Sequence, residues 1–206
     1  MQVVLDVGAN DGSWGLNIAQ QNPGIQVFGF EPTPRMCDII LQKKDELKLA
    51  NYELIQHAVS DYEGKVKFNV AGQADWGCSS LLTFAEGLDQ TWPGRTDFKV
   101  TDTIEVECIT LDTFVKDRGV TNIAFLHCDV QGVDLKVMAS LGDNIKLVQR
   151  GMLETASSKS VALYKGQHTI EDVVVFLLRN GFEIERMTPN DVHYNEVNVL
   201  YKRIWS

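Results

Sequence analysis

The first stretch whose residue types could do chemistry is a glycine-rich turn that follows a short apolar run. Val3–Val7 is apolar apart from Asp6, which is the composition of a buried parallel strand, and Gly8-Ala9-Asn10-Asp11-Gly12 comes directly after it. Glycine lets the backbone approach a ligand closely, and the start of the next helix offers unpaired N–H groups to an anionic group. The turn therefore predicts a cradle for a ligand.

An acid at the end of the second apolar run narrows the choice of ligand. Val27–Phe30 is followed by Glu31-Pro32, and Glu31 stands where folds of this kind bind the paired hydroxyls of a ribose. A dinucleotide fingerprint needs a third glycine, and Ser13 occupies that place here. The turn and Glu31 together predict a bound nucleoside, without identifying it as a nicotinamide.

Two further acids, Asp129 and Glu154, end strands that we expect to be neighbours. Ile123–Cys128 leads to Asp129, and a strand over about Lys146–Leu153 leads to Glu154. The carboxyl ends of parallel strands meet at one edge of a sheet, so both acids would face the same crevice. When two acids lie this close together, the pKa of one of them rises. One carboxylate could then deprotonate or orient a hydroxyl group. The open alternative is that Asp129 binds an ammonium group of the ligand and Glu154 caps backbone.

The histidines and the metal-binding capacity of the chain give weaker signals. By strand alternation His127 points away from the face that Asp129 occupies, so a buried structural histidine is expected. His168 could enter the crevice as a base, although an exposed loop position is the simpler expectation, and His193 is typical of a turn. No metal site is predicted, because hard cations need several oxygen ligands and Asp129 and Glu154 supply two at most.

Alternating strands and helices must position these residues, which predicts an α/β fold with a doubly wound, Rossmann-like sheet of about seven strands. The sheet is expected to be mostly parallel with an antiparallel C-terminal pair, in one domain over residues 1–206. Predicted strands cover about 2–7, 26–31, Tyr52–Val59, Lys65–Val70, Thr103–Ile109, Ile123–Cys128, Lys146–Leu153, Phe182–Met187 and Val197–Tyr201. Predicted helices cover about 13–21, 34–48, a short segment capped by Thr110 or Asp112, Val133–Leu141, and a capping-box helix from Thr169 to Leu178.

Residues 71–102 interrupt this alternation. The stretch is rich in Gly, Asp and Thr, but its aromatic residues argue against plain disorder: Trp76, Phe84, Trp92 and Phe98. We predict a partly ordered cover over the substrate side, with a short helix near Leu81–Leu88. The alternative is a structural excursion that packs on the sheet edge.

Four blocks of the sequence, in this order, resemble the FkbM-type S-adenosylmethionine-dependent methyltransferases. They are D-V-G-A-N-D-G from Asp6, F-E-P from Phe30, L-D-T-F from Leu111, and L-H-C-D-V-Q-G-V-D from Leu126. The resemblance runs from Val3 to about Tyr201. The chain departs from the family pattern with His127-Cys128 in place of Lys-Ile or similar, with Gln131 in place of Glu, and in having almost no sequence ahead of the first strand.

The resemblance implies S-adenosylmethionine as cofactor and O-methylation of a small-molecule hydroxyl or carboxylate, sugar-like or polyketide-like. It also implies cofactor-binding roles. Gly8, Ala9, Asn10 and Gly12 would line the methionine half, Asp6 would bind the ammonium or order the turn, Glu31 with Pro32 would bind the ribose, and His57, Ala58 and Val59 would form the adenine slot with Asp61 nearby. Asp129 and Glu154 would be catalytic, with Asp129 also reaching the cofactor. The alternatives are a non-catalytic nucleoside-binding module and a nicotinamide-dependent oxidoreductase.

Composition excludes several classes of partner. The formal net charge is −9 at pH 7, which provides no electrostatic footprint for nucleic acid or an anionic membrane. There is no membrane-length apolar run, no signal-peptide pattern and no C-x-x-C pair among the four widely spaced cysteines, so we expect a cytoplasmic protein with reduced thiols. A second subunit could supply the cover that family members have ahead of the first strand, which makes a homodimer possible.

Overall fold

A central β-sheet with helices packed against it dominates the computed structural model, which describes residues 1–71, 76–95 and 98–204. Two short 3-10 helices cover Trp76–Cys78 and Gly142–Leu147. The other elements, in chain order, are β1 (Gln2–Val7), α1 (Ser13–Gln21), β2 (Gln26–Phe30), α2 (Pro34–Leu47), β3 (Tyr52–Ile55), β4 (Ala58–Val59), β5 (Gly64–Ala71), α3 (Leu88–Thr91), β6 (Val100–Ile109), α4 (Leu111–Asp117), β7 (Asn122–Cys128), α5 (Asp134–Ala139), β8 (Arg150–Ala156), α6 (Ile170–Arg179), β9 (Phe182–Pro189) and β10 (Glu196–Arg203).

The main sheet has seven strands in the order β3-β2-β1-β7-β8-β10-β9. The five strands from β3 to β8 are parallel to their neighbours, whereas β10 is antiparallel to both β8 and β9. This arrangement confirms the predicted α/β sheet, mostly parallel with an antiparallel C-terminal pair. The strand order reverses its direction of growth between β1 and β7, and in such sheets ligands bind outside the carboxyl ends of the strands at that point.

Both faces of the sheet are covered, as the continuous apolar strand β1 requires. Val3, Leu5 and Val7 are fully buried in a cluster with residues of α4, α5 and α6, whereas Val4 packs on the opposite face with Leu16 of α1 and residues of α2. Successive side chains of a strand point to opposite faces, so a strand covered on both sides must be apolar at nearly every position. The buried acid Asp6 is the exception in this strand.

A second sheet of three strands, in the order β4-β6-β5, departs from the prediction for this region. The predicted single strand Tyr52–Val59 is wrong, because β3 joins the main sheet while β4 pairs with β6. The chain turns sharply between them, where the N–H of His57 donates to the carbonyl of Ile55 at 2.9 Å. Burial drives the separation, since Ala58 packs with apolar residues of β5 and β6 in a cluster of its own.

Several element boundaries also differ from prediction. The helix expected near Leu81–Leu88 is wrong, since α3 begins at Leu88 after Gly87, whose φ of 74° suits glycine. Within the interrupted stretch, residues 72–75 and 96–97 lie outside the described residues. The strand expected from Lys146 begins at Arg150, because the 3-10 helix precedes it, and it continues to Ala156, so that Glu154 lies within the strand.

The predicted helix starts are confirmed where side chains cap them. The N–H of Thr113 donates to Thr110 Oγ1 at 3.2 Å, which makes Thr110 the cap of α4. Thr169 and Asp172 form the predicted capping box of α6. In the described part of the chain, no helix combines the length and apolarity that a membrane crossing requires.

Candidate active site

The glycine turn after β1 is packed directly against the end of β7. The N–H groups of Gly8 and Ala9 both donate to the carbonyl of Phe30, at 3.0 and 2.9 Å, which ties the turn to β2. Gly8 has a φ of 86°, and a Cβ atom there would lie 1.9 Å from the carbonyl oxygen of Asp129. A side chain at this position is therefore excluded by both conformation and contact. Glycine allows the ends of three strands to converge at one point.

Glu31 lies beside this turn and is 6% exposed. Its Oε2 accepts from the N–H of Asn10 at 3.0 Å, and its Oε1 accepts from the N–H and the hydroxyl of Thr33, at 2.9 and 2.5 Å. Burial raises the pKa of Glu31 above its ordinary value, while the hydrogen bonds from Thr33 and Asn10 oppose that shift. The carboxyl group is thus held in a fixed position and joins the turn to the end of β2.

A first cavity opens beside Glu31 and the turn, with about 510 Å³ of empty space including its part open to solvent. Its wall combines apolar side chains from the ends of several strands with a smaller set of polar groups. The apolar residues are Val7, Phe30, Pro32, Ala58, Val59, Phe68, Leu81, Val130 and Val133, and the polar residues include Asn10, Glu31, His57, Ser79, Asp129 and Gln131. A mainly apolar wall with a few convergent polar groups is typical of a site for a small molecule or cofactor.

A second cavity adjoins the first, with about 700 Å³ of empty space including its part open to solvent. The two share lining residues at the topological switch point, namely Gly8, Asn10, Gly77, Asp129 and Gln131. The other residues of the second cavity include three acids and two aromatic residues: Cys78, Trp92, Arg95, Phe98, Glu154, Leu163, Asn190, Asp191 and Glu196. The interrupted stretch lines both cavities, since Gly77 lies in the wall of each. That this stretch covers a bound substrate stays a prediction.

Gln131 joins the two acids that the sequence predicts at one crevice. Its Nε2 donates to Asp129 Oδ1 at 2.7 Å and to Glu154 Oε2 at 2.9 Å. The hydroxyl of Tyr164 donates to Gln131 Oε1 at 2.8 Å, which orients the amide, and the hydroxyl of Ser80 donates to the Gln131 carbonyl at 2.6 Å. The structure thus brings Asp129 and Glu154 together in the second cavity, held by one amide group.

Glu154 and Glu196 are buried acids with shifted protonation. Glu154 is 4% exposed and also accepts a hydrogen bond from Asn190 Nδ2. Burial, followed by the charges of Asp129 and Glu196, raises the pKa of Glu154 well above its ordinary value. Burial and the nearby carboxylates of Asp129 and Asp191 raise the pKa of Glu196 to about 8. Both acids therefore hold a proton at a pH where an exposed glutamate would be ionised.

Asp6, Ala9 and Gly12 lie outside the walls of both cavities. Asp6 is fully buried, and its Oδ1 is 2.7 Å from Nδ1 of His127. The ring of His127 stacks on Trp14 of α1 with centroids 4.3 Å apart, so this histidine is the buried structural group that the sequence predicts. Ala9 is buried, and Gly12 is the N-terminal cap residue just before α1, with a φ of 76°. These residues support the turn; their direct contact with a ligand stays a prediction.

The remaining predicted residues are dispersed. Asp61 forms an ion pair of 3.6 Å with Lys136 and lies outside the cavity walls. His168 Nδ1 is buried without a hydrogen-bond partner in the described ranges, and burial lowers the pKa of this histidine. His193 lies in the loop before β10, where its N–H donates to Asp191 Oδ1 at 2.7 Å. Neither histidine lines the first or the second cavity.

Trp92, Asn190 and Glu196 are lining residues that sequence reasoning missed, and Gln131 was noticed only as a departure from a pattern. The direction of β10 is the feature that could have identified Glu196 as a lining residue. An antiparallel strand begins at the edge where its parallel neighbours end, so the first residue of β10 lies opposite Ala156 at the end of β8. An acid at the start of the final strand is therefore a candidate for the same crevice as Asp129.

The strand order, the glycine turn after β1 and the buried acid after β2 define a Rossmann-like methyltransferase fold. The sequence pattern of the methyltransferase FkbM domain matches residues 6–184. The 2-O-methyltransferase NoeI of Sinorhizobium fredii (strain NBRC 101917 / NGR234) is 30% identical over 195 residues, which cover 92% of this chain and 76% of that protein. The chain belongs to the FkbM methyltransferase family, as the resemblance predicts.

Solved structures agree with this assignment at the level of the fold. A methyltransferase FkbM from Methylobacillus flagellatus KT has a TM-score of 0.60 and 11% identity, covering 98% of this chain and 44% of that one. Magnesium protoporphyrin IX methyltransferase from Synechocystis PCC 6803, with bound S-adenosylmethionine, has a TM-score of 0.54 and 17% identity, covering 98% and 70%.

Family membership identifies the chain as an S-adenosylmethionine-dependent methyltransferase. The nicotinamide-dependent oxidoreductase and the non-catalytic module, which the sequence alone left open, are therefore set aside. Among the residues that the structure describes, no three His, Cys, Asp or Glu side chains converge as a metal site would require.

Proposed function

We propose that this methyltransferase methylates an oxygen atom, a hydroxyl group of an uncharged small molecule that binds in the second cavity. The observation that carries the proposal is the junction of the two cavities at Asp129 and Gln131. One cavity suits the cofactor, the other is lined with hydrogen-bonding groups, and a reaction between their occupants would take place where they meet.

The residues of the first cavity fit S-adenosylmethionine, which supplies an activated methyl group when bound. Glu31 accepts three hydrogen bonds, and a carboxylate has about four lone-pair sites, so a site remains for a ribose hydroxyl. Pro32, His57, Ala58 and Val59 would adjoin the ribose and the adenine in the mainly apolar part of the wall. Gly8 and Asn10, with Asp129, would contact the methionine half.

The charge of the second cavity favours a hydroxyl over a carboxylate as the acceptor group. Four acids line it, but Glu154 and Glu196 hold a proton, so the charges in its wall are the carboxylates of Asp129 and Asp191 and the guanidinium of Arg95, the single Lys or Arg among the described lining residues. Placing like charges together across an interface costs free energy, so an anionic acceptor would be repelled. The name of the 30% identical relative, a 2-O-methyltransferase, agrees with transfer to oxygen.

A neutral hydroxyl must lose its proton as its oxygen forms the new bond to carbon, and we assign the proton to Glu154. A base with a raised pKa takes a proton from a weak acid more readily than an ordinary carboxylate does. Asp129, held by the same Gln131 amide, would orient the hydroxyl at the junction of the cavities. The cover and the loop before β10 would exclude water from the reacting groups.

The experiment is a transfer assay with purified protein and S-adenosylmethionine carrying a labelled methyl group. The acceptor panel contains methyl glycosides of neutral sugars, phenolic polyketide-like compounds, uronic acids and primary amines, and NMR locates the label. We expect label on a hydroxyl oxygen of a neutral acceptor, and the Asp129→Asn and Glu154→Gln variants should lose that product. Label on nitrogen, or on the carboxylates of the uronic acids, would contradict the proposal.

We further propose that the protein acts in the cytoplasm. Cys37, Cys108 and Cys128 are buried thiols in the structure, which suits a reducing compartment. A homodimer stays a prediction from the sequence, and sedimentation at several protein concentrations would test it.

A further inference from the structure

Asp134 is a buried acid that the proposed reaction does not yet use. It is the first residue of α5, at the end of the turn that follows β7, and it is 3% exposed. Its Oδ1 accepts from the N–H of Val130 at 3.3 Å, and its Oδ2 accepts from the N–H of Gly132 at 3.2 Å. Burying an acid near the charge of Asp129 costs free energy, so an acid is a poor choice here for packing alone.

The two N–H groups that Asp134 binds lie on either side of Gln131. Gln131 has a φ of 57°, a left-handed conformation that few residues other than glycine adopt. Such a conformation persists only where the surrounding contacts fix it. The Asp134 carboxyl group fixes the backbone directly before and directly after Gln131, and so determines the direction in which the Gln131 side chain leaves the turn.

The Gln131 side chain is the link between the two acids at the junction of the cavities. A primary amide has two N–H donors, and the Gln131 amide nitrogen lies within hydrogen-bonding distance of both Asp129 and Glu154. A change in the turn would move this amide away from one acid or from both. Small displacements of reacting groups can reduce a rate about a hundredfold, so the conformation of the turn matters for the reaction.

We infer that Asp134 is a positioning residue, which holds Gln131 so that its amide aligns Asp129 with Glu154 for methyl transfer. This inference rests on the proposed function, from which it takes the roles of Asp129 and Glu154. Asp134 lies outside the walls of both cavities, so it acts through Gln131 and not by touching the cofactor or the acceptor. Its loss should therefore affect kcat more than the affinity for the cofactor.

The test compares Asp134→Asn, Gln131→Met and the double variant in the full chain. Asp134→Asn keeps the shape of the side chain but replaces one accepting oxygen with an NH2 group, and Gln131→Met removes the amide at similar length. Asp172→Asn is the matched control, because Asp172 also accepts a backbone N–H at the start of a helix, from Thr169 at 3.0 Å, outside both cavities. Assays are run at pH 8, since burial and the charge of Asp129 raise the pKa of Asp134 to about 7.

Three quantities are measured for each variant. The side-chain amide signals of Gln131 are followed by NMR without any acceptor, and their absence from the Gln131→Met spectrum assigns them. Calorimetry gives the affinity for S-adenosylhomocysteine. The kcat of methyl transfer is measured with the member of the acceptor panel that is methylated fastest.

We expect wild type to show two separate Gln131 amide proton signals that exchange slowly with solvent, and Asp134→Asn to shift both and speed their exchange. The kcat of Asp134→Asn should fall by about tenfold to a hundredfold, while the affinity for S-adenosylhomocysteine stays within about threefold. Gln131→Met should lose a similar factor in kcat, and adding Asp134→Asn to it should cost little more, because the two residues act as a unit. Asp172→Asn should keep the wild-type signals and kcat.

Unchanged Gln131 amide signals in Asp134→Asn would overturn the inference, and these signals decide alone if no panel compound is methylated. A loss of kcat that is equally large with and without Gln131→Met would also overturn it, since Asp134 would then act on the fold in general. If Gln131→Met slows transfer to oxygen and Asp134→Asn does not, this inference fails and the proposed function stands. Coupled losses in a transfer to nitrogen would have the opposite meaning.

Discussion

Asp6 and His127 are register partners on the neighbouring strands β1 and β7, and their side chains are joined by a hydrogen bond of 2.7 Å beneath the glycine turn. Trp14 of α1 stacks on the imidazole, so one buried pair connects two strands and a helix. The turn that lines both cavities therefore rests on an ionisable contact. Its strength must depend on pH, and the direction follows from the pKa of the histidine.

The first prediction concerns stability. Burial alone would lower the pKa of His127, but the hydrogen bond and charge of Asp6 outweigh it and the pKa is raised. A raised pKa in the folded state means that the contribution is fully present below the unfolded pKa of about 6.5 and is lost as pH rises through the folded pKa. His127→Phe leaves Asp6 buried without its partner, which typically costs about 3–5 kcal/mol. Urea unfolding at pH 6 and pH 9 should show the larger loss at pH 6.

The control for this measurement is His193→Gln, since His193 is an exposed loop residue and its side chain should contribute little at either pH. An equal loss for His127→Phe at both pH values would show that packing on Trp14, rather than the ionised pair, supplies the stability.

The second prediction tests the close approach at the turn. Gly8→Ala would place a methyl group against the Asp129 carbonyl in a left-handed conformation. Overpacking costs about 1–3 kcal/mol and a left-handed alanine about 1–2 kcal/mol more, so the free energy of unfolding should fall accordingly. S-adenosylhomocysteine affinity should fall with it. Gly24→Ala is the matched control, because nothing lies within 4 Å of a Cβ there. Similar stability of the two variants would contradict the packing that the structure shows.

The third prediction concerns the ribose contact of Glu31. Glu31→Gln should weaken S-adenosylhomocysteine binding by about tenfold to a hundredfold, because a hydrogen bond to a charged group is worth about 1.5–3 kcal/mol. Calorimetry measures the affinity directly. Thr33→Ala removes the hydroxyl that bonds to Glu31 but keeps the carboxyl group, so its effect should be smaller. Equal affinities for wild type and Glu31→Gln would exclude this residue from the cofactor site.

The parts of the site that the sequence could predict are local. The run from β1 through Gly8 to the start of α1, and the acid after β2, combine residues close in sequence whose conformational preferences agree with the fold. Asp129 and Glu154 could be predicted to meet because parallel strands share an edge, a rule that needs no side-chain detail.

The second cavity could not be predicted, because its wall is assembled from distant segments. Trp92, Gln131 and Glu196 come from the interrupted stretch, the turn after β7 and the start of β10. No local pattern marks them, and only the antiparallel direction of β10 places Glu196 beside β8. The division of the predicted strand Tyr52–Val59 into β3 and β4 has a similar origin. The second sheet forms because β4 pairs with β6, where Ala58 lies opposite Cys108, fifty residues later in the chain.

The fourth prediction concerns the base. Burial and the carboxylates of Asp129 and Glu196 raise the pKa of Glu154, so Glu154 holds its proton at low pH and becomes a base only as pH rises through that raised value. The ratio kcat/KM should therefore increase with pH. Glu154→Gln cannot accept the proton, and its kcat should fall by about 10²–10⁴-fold with a flat profile over the same range. Glu185→Gln, which alters an acid of the edge strand β9 that is paired with Arg150 at the start of β8, should keep the wild-type profile. A flat wild-type profile, or a pH-dependent one in Glu154→Gln, would assign the proton to another group.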